Sequence, residues 1–226
     1  MANSNFLRSN INQHIVKNSD SKKMDRDIVL ALRSVVTHLQ AEYPDLIFTH
    51  TSSMPVNEIV ASLSKQYPEY SNFFNFHLPN SNIRPDGGFL FATNKYNERR
   101  LILVAEVKKQ GTNDLREQEG KKKQAKGNAI ERLGKNLIGI RTIFKNEGIL
   151  PFVCFGSGDD FKNGSSILDR VITMNEFFPL NQIFVKKSFP PFEPVSMFFR
   201  YEKWEVDQMS AIMSEIAAQA IEHKFV

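Results

Sequence analysis

Residues 84–109 read RPDGGFLFATNKYNERRLILVAEVKK. Residues 88–93 form an apolar strand, 94–97 supply turn chemistry, and 100–108 form a second strand, so the stretch is a β-hairpin. The centre of the second strand, 101–107, is nearly all apolar, as expected of a strand covered on both faces. Pro85-Asp86 stands at the entrance to the first strand and Glu106-Val107-Lys108 at the end of the second. Side chains alternate along a strand, so Glu106 and Lys108 point the same way. Hairpin pairing can bring Asp86 alongside them, across the nineteen residues that separate Asp86 from Glu106. Two carboxylates and one ammonium then share a small volume.

That grouping suits phosphodiester hydrolysis. Asp86 and Glu106, with the carbonyl of Val107, offer the oxygen ligands that Mg²⁺ prefers. The metal polarises a phosphate and acidifies a bound water. Lys108 can orient the attacking water and stabilise developing negative charge. Taken singly, an E-x-K at a strand end is commonly a strand reaching solvent, and Pro-Asp is an ordinary turn pair. Their conjunction across one hairpin is what points to chemistry.

Working outward, Ile28, Leu32, Val35, Val36 and Leu39 give residues 26–43 a helical stripe, with Asp25 as its cap and Pro44 as its stop. Residues 46–50 read as a strand, 56–66 as a helix, 70–77 as an aromatic loop and 79–82 as a turn. Downstream, a helix over 128–146 carries Ile130, Leu133, Leu137, Ile140, Ile143 and Phe144 inward, and 150–155 is an apolar strand. Strand, crossover helix and strand predict a parallel pairing. Residues 165–178 read as a helix and 182–187 as a strand; Pro190, Pro191 and Pro194 then interrupt the chain. The last helix is predicted over 202–222, with Trp204, Met209, Ile212, Met213, Ile216, Ala220 and Ile221 inward. There are no internal repeats. The expected fold is α/β, a central mixed β-sheet flanked by helices. Residues 26–226 form one domain, and the Asn-, Ser- and Lys-rich residues 1–25 form a mobile arm.

The single cysteine, Cys154, excludes an internal disulfide and a cysteine-based zinc site, and fits a reducing cytoplasm. The five histidines are scattered without metal-ligand spacing. No apolar run approaches the ~20 residues of a membrane span. The formal charge is +4, and residues 109–135 hold eight basic against four acidic side chains, so this one stretch accounts for the whole excess. Such a focused patch draws in a polyanion such as DNA, although a solvated lysine-rich loop would look alike.

The PD…ExK pattern resembles the PD-(D/E)xK nuclease superfamily. More narrowly, SNIRPDGGFL (81–90), LVAEVKKQG (103–111) and GNAIER (127–132) resemble the EcoRI restriction endonuclease family, with EYPDLIF (42–48) and VNEIVASL (56–63) in the right order upstream. The likeness covers roughly residues 26–160 and thins beyond, where LDRV (168–171) and the Trp204 region look related. It implies a restriction-endonuclease-like fold and a homodimer that cleaves double-stranded DNA at a six-base palindrome centred on AATT, leaving 5′ overhangs. It further implies Asp86, Glu106 and Lys108 as the catalytic set, Asp86, Glu106 and Val107 as the Mg²⁺ site, and a methyltransferase that protects host DNA without touching this chain.

Within GNAIER, the resemblance assigns Asn128, Glu131 and Arg132 to the inner bases, with Gly127 and Ala129 beside them. A helix starting at Gly127-Asn128 can aim its N-terminus into a major groove, where Asn suits an adenine edge and Arg suits N7 acceptors. On the residues alone, a capped surface helix with an ordinary ion pair is the favoured reading. For the outer base pair, Arg170 is kept, Ile167 stands where a second arginine is expected, and Lys126 matches a basic position of a CAATTG-cutting relative. This departure leans toward CAATTG, with a GAATTC site read differently and a relaxed outer position both left open. Lys121, Lys122 and Lys123 are expected on the DNA backbone. Two alternatives remain open on the sequence: another nuclease of the superfamily, for repair or junction resolution, and a non-catalytic sequence-specific DNA-binding module.

Overall fold

A computed structural model describes residues 4–69, 81–109, 116, 119–122, 128–144, 147–158, 161, 180–185 and 195–225, with the side chains of 4–22, 62, 128 and 129 left out. The order of elements is α1 (Ser4–Glu42), β1 (Ile47–Thr51), β2 (Met54–Pro55), α2 (Val56–Gln66), β3 (Asn82–Ile83), β4 (Gly88–Thr93), β5 (Arg99–Lys109), α3 (Asn128–Phe144), β6 (Phe152–Ser157), β7 (Ser196–Arg200) and α4 (Val206–Phe225). Among the described residues, no helix is long and apolar enough to cross a membrane.

Five strands form one sheet in the order β1-β4-β5-β6-β7. β1, β4 and β5 are antiparallel neighbours, whereas β5, β6 and β7 run parallel. The mixed sheet and the β5–α3–β6 crossover are as the sequence predicts. In the hairpin, Leu90 pairs with Leu103 but Phe91 pairs with Leu101, so a bulge falls beside Ile102. The bulge leaves Ile102 and Leu103 in the same core and adds local twist to the hairpin.

β5 lies in the middle, and its residues 101–107 are all buried. On one face, α1 and α4 pack Ile28, Val35, Leu39, Met213 and Ile216 against Leu103, Ala105, Val107 and Phe155. On the other, α3 packs Ile130, Leu133, Leu137 and Ile140 against Phe89, Val104, Phe152 and Met197. Each fully buried side chain of this size contributes about 1.5–3 kcal/mol, so the two cores clamp β5 from both sides. A small ladder joins β2 to β3, Met54 facing Ile83, and Val56 N–H donates to Ser81 O at 2.9 Å. Ile83 is buried against α3, where a Cβ on Gly139 would fall 2.7 Å from Ile83 Cδ1 and 3.0 Å from Ile59 Cδ1. α3 therefore seats directly on β3 and α2.

Four sequence-based expectations are corrected. α1 does not begin at Asp25. It reaches back to Ser4, because nothing from Ser4 to Tyr43 is a glycine or proline that would stop it. Asp25 is thus a helical residue instead of a cap, and Met24, assigned to the arm, is 7% exposed in the core. The strand expected over 182–187 is absent in its described part; residues 183–185 are irregular, and Phe184 N–H bonds Ser196 Oγ at 2.8 Å. The edge strand is instead β7, just past the prolines, which pairs parallel with β6. The last helix begins at Val206, not 202; Trp204 precedes it and donates from Nε1 to Gly156 O at 2.9 Å. The 70–77 loop and the 165–178 helix lie outside the described residues.

Candidate active site

The turn that leads into β4 is fixed by its two glycines. Gly87 N–H donates to Ala105 O at 2.9 Å, and Gly88 N–H to Pro85 O at 3.0 Å. A Cβ on Gly87 would lie 2.8 Å from Ala105 Cβ and 3.2 Å from Ile28 Cγ1, so the turn is pressed between β5 and α1. Gly88 has φ +76, and a Cβ there would meet Thr51 O at 2.7 Å. His50 Nε2 lies 2.9 Å from Gly87 O, tying β1 to the same turn. With no slack in the backbone, Asp86 has one place to go.

That place is the end of β5. Asp86 N–H donates to Glu106 Oε2 at 3.0 Å, and Val107 N–H to Asp86 Oδ2 at 3.3 Å. Glu106 follows Val104 on the α3 side of β5, and its side chain is only 3% exposed. Lys108 emerges two residues later on the same side. Its ammonium donates to Asp86 Oδ2 at 3.1 Å, to Val107 O at 3.0 Å, and to Glu106 Oε1. One cation therefore sits on three oxygens, two from neighbouring strand residues and one from the facing turn.

Burial sets the electrostatics. Loss of water lifts the Glu106 carboxyl from the ordinary 4.5 to about 7; Lys108 pulls it back down and Asp86 pushes it further up. For Lys108, burial favours the neutral amine, but Glu106 and then Asp86 outweigh it and hold the ammonium charged well past its usual range. Cys154, paired across from Glu106 on β6, is fully buried, and burial first of all pushes its thiol well up, so it is an inert core residue.

Among the described residues, no group of three or more His, Cys, Asp or Glu side chains converges as a metal nest. What the site offers is two carboxylates and a backbone carbonyl, the hard oxygen set that suits Mg²⁺ with several retained waters and does not suit zinc. The Lys108 ammonium already rests on those oxygens, which shows that they form a cation-binding point. A cavity of about 210 Å³ opens onto it, lined by Met24, Asp25, Asp86, Val107, Lys108 and Lys109. A larger groove of about 550 Å³ runs past His38 and Ser214 between α1 and α4 but gathers no comparable chemistry.

Sequence alone does not place Asp25 in this cavity. The residue reads as a cap, and the uninterrupted helical sequence upstream is the available signal against that. His50, which ties β1 to the catalytic turn, carries no sequence signal at all.

Of the residues expected on DNA, Glu131 and Arg132 are exposed on the first turn of α3, which begins at Asn128 as expected. Lys121 and Lys122 are exposed, with Lys121 Nζ on Glu119 Oε2 at 2.8 Å and Lys122 O accepting from Arg116 Nε at 2.5 Å. Lys123, Lys126, Gly127 and Arg170, and the side chains of Asn128 and Ala129, lie outside the described residues.

Residues 11–167 match the family described as restriction endonuclease EcoRI. The chain is 35% identical over 131 residues to the type II restriction enzyme EcoRI of Escherichia coli, covering 54% of this chain and 47% of that protein. It is 32% identical over 159 residues to the type II restriction enzyme RsrI of Cereibacter sphaeroides, covering 66% of this chain and 56% of that one. The matched segment spans about half the length of these curated relatives.

Proposed function

The chain belongs to the EcoRI restriction endonuclease family, and on that premise we propose that it is a type II site-specific deoxyribonuclease that hydrolyses double-stranded DNA. The observation that carries the reading is the cluster of Asp86, Glu106 and Lys108 at the β4–β5 hairpin, inside the family-matched segment. Asp86, Glu106 and the Val107 carbonyl would hold Mg²⁺. When bound, the metal polarises the phosphodiester and supplies an acidified water. Lys108 orients the attacking water and faces the charge that builds on the phosphate oxygens. In the metal-free site Glu106 and then Asp86 hold its ammonium charged. The tight turn at Gly87 and Gly88 holds Asp86 in place as charge shifts.

Base reading belongs to the start of α3, with Asn128, Glu131 and Arg132 on the inner AATT. Lys126 and Arg170 address the outer pair, for CAATTG or alternatively GAATTC, and Lys121, Lys122 and Lys123 contact phosphates. Two copies related by a two-fold axis would meet a palindrome half-site by half-site and leave 5′ overhangs. An N-terminal arm, expected over residues 1–25 and shortened here to end before the buried Met24, would precede the single catalytic and recognition domain. The enzyme works in the cytoplasm beside a DNA methyltransferase that it need not touch.

The deciding experiment is digestion of a sequenced plasmid library with Mg²⁺, beside a Lys108→Ala control, with every new end sequenced. Ends at one AATT-centred palindrome, absent in the control, are expected. Ends at branched structures or at random would reassign the chain to another nuclease type, and specific binding without any ends would make it a DNA-binding module.

A further inference from the structure

The ammonium of Lys108 rests on Asp86 Oδ2 at 3.1 Å, on Val107 O at 3.0 Å and on Glu106 Oε1. Those are the same oxygens assigned above to Mg²⁺, and this inference rests on that assignment. A divalent ion coordinates oxygens at about 2.0–2.1 Å, so an ion bound to all three would stand where the ammonium now sits. Lys108 has to move when the metal arrives. It moves as a cation, since a lysine amine is ordinarily protonated near neutral pH. Its side chain is 17% exposed, so a displaced charge still needs an anionic partner.

The cavity wall offers one. Its lining is Met24, Asp25, Asp86, Val107, Lys108 and Lys109, and Asp25 is the carboxylate there that the metal does not use. Asp25 is held by a rigid element. Its neighbours Met24 and Ile28 are core residues of α1, and Ile28 presses on the Gly87 turn. Asp25 is exposed at the cavity mouth; partial loss of water first, then Asp86, raises its carboxyl and Lys108 lowers it, so it lies within electrostatic reach of both. The four-carbon stem of lysine can swing between partners inside such a cavity.

We propose that Asp25 is a positioning residue that receives the Lys108 ammonium when a divalent cation takes the oxygens of Asp86, Glu106 and Val107. Lys108 is thus the resident counter-ion of the metal-free site. Asp25 keeps it beside Asp86 in the loaded site instead of releasing it to solvent.

The test uses the full chain labelled with ¹⁵N-lysine, without DNA, and follows the Lys108 ammonium resonance by NMR, assigned by its loss in Lys108→Arg. Mg²⁺ is titrated in parallel by calorimetry. The metal-free signal should be protected from solvent exchange in wild type and in Asp25→Asn alike. With Mg²⁺ the wild-type signal should shift in step with binding and stay protected. In Asp25→Asn it should vanish through fast exchange, with Mg²⁺ affinity several-fold weaker, and Asp25→Glu should restore it. Mg²⁺ binding with an unmoved Lys108 signal refutes the handover alone. So does equal protection in Asp25→Asn, loss of protection in loaded wild type, or a signal already lost in metal-free Asp25→Asn. Absence of any Mg²⁺ binding overturns both the handover and the metal assignment.

Discussion

Replacing Glu106 with glutamine should make the metal-free protein more stable at mildly alkaline pH, although it removes a member of the site. The reasoning is linkage. The buried Glu106 carboxyl titrates at about 7 in the fold against an ordinary 4.5. Its folded value is the higher one, so its contribution to stability is complete below the unfolded value and is lost as pH rises through about 7. At about 1.4 kcal/mol for each tenfold change, the ionised carboxylate costs the fold on the order of 3 kcal/mol near pH 8 and only about 1 kcal/mol near pH 5. Lys108 is charged in both the folded and the unfolded chain from pH 5 to pH 8, so its raised value contributes equally at both and adds nothing to the difference between them. Glutamine keeps the shape and a polar oxygen for Asp86 N–H without the charge. For a chain of this size, roughly 3 kcal/mol corresponds to a rise in Tm of about 6–12 °C near pH 8, shrinking toward pH 5. Scanning calorimetry of wild type and Glu106→Gln in chelator, at both pH values, measures this directly. Mg²⁺ should then raise the Tm of wild type and not of the variant, closing the gap. A gap that is equal or larger near pH 5, or a variant less stable than wild type near pH 8, would refute the argument.

Gly87→Ala should cost about 1–3 kcal/mol of stability, because its Cβ would stand 2.8 Å from Ala105 Cβ and the turn has nowhere to retreat; cleavage should fall further than the change in Tm explains, since Asp86 moves with the turn. Lys224, 3% exposed, is buried against Glu147 at 2.5 Å, so Lys224→Met alone should cost about 3–5 kcal/mol by chemical denaturation, and adding Glu147→Leu should recover most of it. Reversing the order, with the double variant worse than the single, would contradict an ion-pair origin. DNA affinity should fall steeply with salt, and Lys121→Ala with Lys122→Ala should flatten the log–log slope by about 0.9 for each phosphate that is no longer neutralised; an unchanged slope would remove these lysines from the DNA surface.

The hairpin was legible because its signals are local. A first apolar run, a polar turn and a second apolar run fix both strands and bring Asp86 to the end of β5 within one supersecondary unit. The parallel β5–β6 pair was legible from a helix-length crossover. What failed was set by distant packing or by the absence of a stop. Asp25 looks like a cap, and only the missing glycine or proline upstream carries α1 through it. β7 follows three prolines, and its strand character comes from pairing with β6, which no short window contains. The depth of Glu106 depends on two helical layers meeting over β5, and the placement of the Lys108 ammonium depends on that depth.

The seat of α3 on β3 has a mechanical meaning. Ile83 Cδ1 and the backbone of Gly139 meet with no space for even a methyl group, and Asp86 lies three residues beyond Ile83. No flexible loop separates the two. With base reading proposed for the first turn of α3, the helix that would read bases and the strand that leads to the Asp86 turn are in direct contact, so the two are mechanically neighbours.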